Sequence, residues 1–220
     1  SRKLGDMNTG RPRSVSLYFL PVETRVPLKF GPETVTRVTC VRVRMEIEGP
    51  QWTRASGWGE TPLSVQWVWP STLPYSERAE VLERLCRSLA CAWADWDRAG
   101  HPIEVGYAFQ EEVLPGLLQA ANRERGATAE PIPWLAALVC CSAFDLALHD
   151  AYGRLMGLPV FECYQPQYMQ RDLSAYLTPA VGAAVGFTGR YPRDYLAAAP
   201  ARRLLAWHLV GGLIHLRIAI

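Results

Sequence analysis

The chain has 220 residues, 49% of them hydrophobic and 20% charged, with a formal net charge of +2. That length and apolar share suffice to bury a core in one or two domains. The near-balanced charge, with basic residues scattered singly, argues against a nucleic-acid partner.

Residues 1–13 are polar, basic and glycine-bearing with no apolar run behind them, so they read as a disordered tail without a signal peptide. Three strand-like runs follow. Residues 14–22 are rich in β-branched and aromatic side chains, and residues 38–48 alternate, with Val41, Val43, Met45 and Ile47 on one face and charges on the other. Residues 54–61 follow a Gly49-Pro50 turn and so form the hairpin partner of the second run, giving an antiparallel three-stranded meander. Residues 23–37, carrying Pro27, Gly31 and Pro32, read as a long loop between the first two strands, a common place for binding residues. Residues 62–74, with Trp67 and Trp69, read as irregular.

Helices then take over. Ser76 is a suitable N-cap for a helix over 77–99, where Val81, Leu82, Leu85, Leu89, Trp93 and Trp96 recur at helical spacing before Gly100. A shorter helix spans 109–122, with Pro115 as a kink or a boundary. A third opens at 131–134 and runs to Leu155, apolar throughout as a helix buried between layers would be. After Pro159 the pattern predicts an extended 172–178, a Gly/Ala-rich stretch, a helix-like 191–205 and a strand-like 213–220, the β-then-α-then-β order that begins a parallel sheet or barrel. Residues 204–220 are apolar enough to raise a membrane anchor, but His208, His215 and Arg217 argue against it. The six cysteines, Cys40, Cys86, Cys91, Cys140, Cys141 and Cys163, include no Cys-x-x-Cys pair and read as buried reduced thiols of a cytoplasmic protein.

Two runs carry a resemblance. Gly57-Trp-Gly-Glu-Thr-Pro62, and Ser142-Ala-Phe-Asp-Leu-Ala-Leu-His-Asp150 with Gly153-Arg-Leu-Met-Gly-Leu-Pro-Val160, resemble the enolase superfamily, particularly its mandelate racemase and muconate-lactonizing enzyme branch. The first looks like the motif closing that family's third strand, the second like the helix that leads into its barrel. The family usually has Trp where His149 stands and Lys where Arg154 stands, and the match covers roughly residues 14–178. The resemblance implies an α+β fold: a three-stranded meander followed by a helical bundle as a capping domain over 14–158. The start of an incomplete (β/α) barrel would then occupy 159–220. It also implies abstraction of the proton α to a carboxylate, with Mg2+ spreading the charge of the enediolate. The family's acidic metal ligands and its Lys-x-Lys base lie on barrel strands beyond the cap. In Leu216-Arg-Ile-Ala-Ile220, Arg217 and Ala219 stand at the two lysine positions, unless that stretch corresponds to nothing in the family. Either way the chain alone is expected to lack the base and the metal ligands and to be inactive, Mg2+ belonging only to the complete protein.

By the same resemblance, residues 23–36 and 59–63 match two loops that select a small carboxylate substrate. Lys29 is a candidate to meet the carboxylate or a solvated lysine, and Phe30 either covers the site or packs the loop onto the helices. Glu60 either contacts substrate or fixes a turn by accepting backbone hydrogen bonds, and Thr61 is its neighbour. Thr178 stands where a small polar contact ends the first barrel strand. Asp145 and His149, four apart, have metal-ligand spacing but no third ligand. His208 and His215 lack acidic partners, and neither Gly57-x-Gly59 nor Gly211-Gly212 completes a phosphate-binding signature. An unclosed barrel would expose edges, so homo-oligomerisation, or a purely binding or assembly role, is the competing expectation.

Overall fold

The structure, a computed structural model, describes residues 8–31 and 33–206. Three antiparallel strands, β1 (Arg11–Phe30), β2 (Glu33–Glu48) and β3 (Arg54–Pro62), form one sheet in the order β1-β2-β3. The alternation in β2 decides its orientation: Val41, Val43, Met45 and Ile47 are fully buried, while Arg42 and Arg44 between them face outward.

The expected loop over 23–37 is not a loop. Pairing continues to Phe30↔Glu33, the chain turning at Gly31 with φ +59°, so the sheet carries a hairpin arm well past its core. β-branched Thr24, Val26, Val35 and Thr36 favour the extended state. Pro27 is accommodated because it falls in a register slip between Glu23 and Leu28, where no ladder N–H is needed. The tail is also shorter than expected, since β1 begins at Arg11 and Gly10 exchanges two backbone hydrogen bonds with Gly100. Ser1 to Met7 lie outside the described residues.

Among the described residues five α-helices follow: α1 (Val65–Val68), α2 (Tyr75–Ala94), α3 (Pro102–Glu112), α4 (Leu114–Arg125) and α5 (Trp134–Met156). α1 falls within the stretch expected to be irregular. α2 starts earlier than Glu77, behind Pro74 and without a side-chain cap from Ser76, and it stops at Ala94 because Gly100 is drawn into the bridge with Gly10. The predicted 109–122 helix is two helices broken at Val113, with Pro115 in the first turn of α4, where a missing N–H costs nothing. α5 ends at Gly157 in the left-handed region, with Gly157 N donating to Arg154 O and Leu158 N to Gly153 O. By length and composition α5 is apolar enough to cross a membrane. Here it is the central helix of one core, its Ala136, Cys140, Phe144, Leu148 and Tyr152 packed among sheet and helix side chains.

The contact between β3 and α5 positions everything else. Gly57 and Gly59 face the helix at Ala143, Ala147 and Ala151, so closely that a Cβ on Gly57 would stand 2.0 Å from Ala151 N and one on Gly59 2.1 Å from Ala143 O. Strand and helix therefore meet main chain to main chain. Asp150 closes the seam from the helix side, one carboxylate oxygen accepting from Trp58 N at 2.9 Å and from Arg154 Nε at 3.0 Å.

Residues 159–206 differ most from expectation. They hold three short 3-10 turns, Val160–Cys163, Leu173–Ala175 and Pro192–Tyr195, and no strand. The predicted extended run over 172–178 is a turn because the Asp172 carboxylate accepts from Ser174 N at 3.0 Å and Gly189 N at 2.6 Å. The helix-like 191–205 stops after one turn, as most of the stretch is exposed and has no apolar face to bury. The strand-like 213–220, with Arg217 and Ala219, and both His208 and His215 lie outside the described residues.

Candidate functional site

Lys29 and Phe30 sit at the end of the hairpin arm, opposite Thr34 and Glu33. Phe30 is 42% exposed, so it does not pack the arm onto the helices. The arm is tied down from its other strand. Arg78, in the first turn of α2 and only 1% exposed, sends Nη2 to Glu33 Oε1 at 2.8 Å, Nη1 to Trp69 O at 2.6 Å and Nε to Leu73 O at 3.0 Å.

Glu60 and Thr61 lie in β3 rather than in a loop. Glu60 points to the outer face, where Arg42 Nε donates to its Oε2 at 2.6 Å; its partner is a side chain on the neighbouring strand, not the backbone of a turn. Trp58 and Tyr18 stand beside this pair on the same face, ring centroids 6.0 Å apart. Thr61 points the other way. Ser142 Oγ donates to Val139 O at 2.7 Å, which leaves the Thr61 hydroxyl, 2.8 Å away, to donate to Ser142. Thr61 thus pins β3 to α5. Thr178 is exposed in irregular chain and does not end a strand.

The five candidates do not converge. Val41 is opposite Thr61 and Thr34 opposite Lys29, a separation along β2 of up to roughly 23 Å at about 3.3 Å per residue. Among the described residues no hydrogen bond or ion pair joins the arm tip, Glu60, Thr61 and Thr178 to one another.

Asp145 and His149 do meet, Oδ2 to Nε2 at 3.8 Å, and His149 Nδ1 lies 2.7 Å from the Tyr164 hydroxyl. His101 completes a small polar nest, its ring edge-on to Tyr152 and Tyr164. His101 Nδ1 accepts from Ile103 N at 3.2 Å and caps α3, so the proton is on Nε2, which is buried without a partner. Burial, and secondarily His149, lowers the His101 pKa from 6.5 to about 3. Burial also lowers His149, against the opposing pull of Asp145, and raises Asp145. Burial pushes the Cys141 thiol and the Tyr164 hydroxyl up to about 12, which leaves both protonated and unreactive near neutrality.

Mg2+ prefers several oxygen ligands in octahedral array. Among the described residues no three Asp, Glu, His or Cys side chains gather closely enough to hold an ion, and His149 already shares a hydrogen bond with the Tyr164 hydroxyl. These residues do not fit the metal.

Sequence reasoning missed Arg78, Arg42, Asp150 and the pairing of His101 with Tyr164. Arg78 carried a signal: it stands at the helical period of Val81, Leu82 and Leu85, where an apolar residue is expected, so a buried cation was legible. Asp150 was marked by the run it closes but its partner Trp58 N was not, and His101 carried no signal, because their partners are distant in sequence.

No protein-family model and no curated protein matches the chain. Several solved structures are similar over most of it. They include an enolase from Bradyrhizobium complexed with magnesium and mandelic acid, at 18% identity and TM-score 0.40, covering 71% of this chain and 35% of that one. A mandelate racemase/muconate lactonizing enzyme-like protein from Rubrobacter xylanophilus is 18% identical with TM-score 0.36, covering 70% and 33%. L-talarate/galactarate dehydratase from Salmonella typhimurium LT2 is 16% identical with TM-score 0.41, covering 74% and 35%. The chain thus spans about a third of the length of the solved structures it matches.

Proposed function

We propose that residues 14–158 serve as the capping domain of a mandelate racemase-like member of the enolase superfamily, with 159–220 leading toward its barrel. One observation carries this reading: the two runs that hold the resemblance are the two halves of one contact, Gly57 and Gly59 seated on Ala143, Ala147 and Ala151. A Gly-x-Gly strand and an alanine-faced helix explain each other only when packed together. In this role the cap selects a small carboxylate substrate rather than reacting with it. Lys29, exposed at the arm tip, is the group to meet the carboxylate, and Phe30 beside it supplies an apolar cover. Glu60 and Thr61 act through the sheet, holding β3 to β2 and to α5. In this reading the α-proton chemistry and its Mg2+ belong to groups other than these four, and the cap by itself is expected to exchange no substrate proton.

The test is an α-proton exchange assay with Mg2+ and a panel of sugar acids and aryl hydroxy acids. No exchange above background is the expected result; exchange that scales with the amount of this protein overturns the division of labour. A second reading, as an assembly module, is favoured by the exposed Tyr18 and Trp58 rings on the outer face of the sheet. Light scattering over a range of concentrations separates the two, since a monomer throughout counts against assembly through this face.

A further inference from the structure

We infer that Arg78 is the positioning residue of the hairpin tip, setting where Lys29 and Phe30 stand through its ion pair with Glu33. Arg78 is out of place by the ordinary rules of helix design. It lies in the first turn of α2, at the positive end of the helix dipole, and its side chain is 2% exposed. Two of its hydrogen bonds go to the neutral carbonyls of Trp69 and Leu73, which any donor of suitable reach satisfies. Among the described residues Glu33 is the carboxylate in ion-pair contact with it, Glu130 acting on it from farther off, and a buried charge without its counter-ion is strongly disfavoured. The carboxylate that meets this need comes from the residue paired with Phe30.

The arm has the geometry to make this tie decisive. Its register slips between Glu23 and Leu28, so the segment Leu28–Val35 continues beyond an irregularity that interrupts the ladder. Among the described residues two hydrogen bonds join this arm to the helices: Arg78 to Glu33, and the weaker Tyr75 hydroxyl to Arg37 O at 3.4 Å, nearer the root. The place of the tip is therefore set by this ion pair, together with the burial of Val35 beside it. Its bearing on substrate selection rests on the capping-domain reading above; the anchoring itself does not.

Amide hydrogen exchange on the full chain without substrate tests it, with the paired amides of 28–35 as the probe and those of 41–47 in β2 as the internal control. For Glu33→Gln we expect exchange at 28–35 to rise about tenfold with 41–47 unchanged, and Glu33→Asp to restore most of the protection. Arg78→Lys, which keeps the charge and loses the fork, should fall between wild type and Glu33→Gln. Exchange at the tip within about twofold of wild type in Glu33→Gln overturns the inference. An equal rise at 41–47 overturns it too, because Arg78 would then support the body rather than place the tip. Either failure leaves the proton-exchange prediction untouched, and exchange of substrate protons leaves this one untouched.

Discussion

Two histidines and two glycines concentrate the consequences at the scale of single residues. His101 is neutral because burial holds its pKa near 3, and protonating it would also remove the Nδ1 lone pair that caps α3. A depressed histidine contributes stability that is present above its unfolded pKa of 6.5 and lost as pH falls toward its folded value. We expect urea midpoints to drop between pH 6.5 and 5 by the equivalent of about 2 kcal/mol from His101 alone, with His149 adding in the same direction. Asp145, raised from 3.8 by burial, acts with the opposite sign as pH falls through its folded value, so it offsets part of the loss from the histidines. His101→Asn, which keeps a capping side chain, should flatten the pH dependence; an unchanged slope would refute the assignment. At Gly57 a methyl group would meet main-chain atoms that cannot rotate away, so Gly57→Ala should destabilise by about 3 kcal/mol or more in equilibrium denaturation.

At the scale of elements, the meander and α2 were legible because each buries one face at a clear period, and α5 because its apolar run is long and unbroken. The hairpin arm was not, because Pro27 and Gly31 interrupt its alternation and it has little to bury; its strands persist through pairing, which no local pattern records. The boundary between α3 and α4 was half legible, Pro115 marking it without saying on which side. Of the site residues, Phe30 was left between covering the site and packing onto the helices, and only the structure shows it exposed, whereas the separation of Glu60 from Thr61 onto opposite faces was already implied by a strand over 54–61. α5 allows a direct test of its role as a core helix. Phe144→Ala should cost about 3–5 kcal/mol, whereas Leu146→Gln, on its half-exposed side, should change stability by about 0.5 kcal/mol or less. Equal effects would argue against the orientation of α5 described here.

At the scale of the whole molecule, the sheet, α2, α3 and α5 share one core while the stretch beyond Leu177 is almost all surface. Elastase should therefore cut first within the Ala-rich residues 179–184, leaving a fragment that contains the sheet and all five helices. Early cleavage inside α5 would contradict this partition. The composition of that stretch predicted regular elements from residue preference alone, and preference without a face to bury does not hold a helix or a strand. The strand–helix seam also limits how the sequence can drift. A large side chain in an ordinary core is accommodated when its neighbour shrinks, so two compensating substitutions let such positions diverge. Opposite Gly57 and Gly59 the obstructing atoms include Ala147 O, Ala151 N and Ala143 O, which every residue type carries. No exchange on the helix can make room, and both glycines should persist in descendants of this chain long after the residues around them have become unrecognisable.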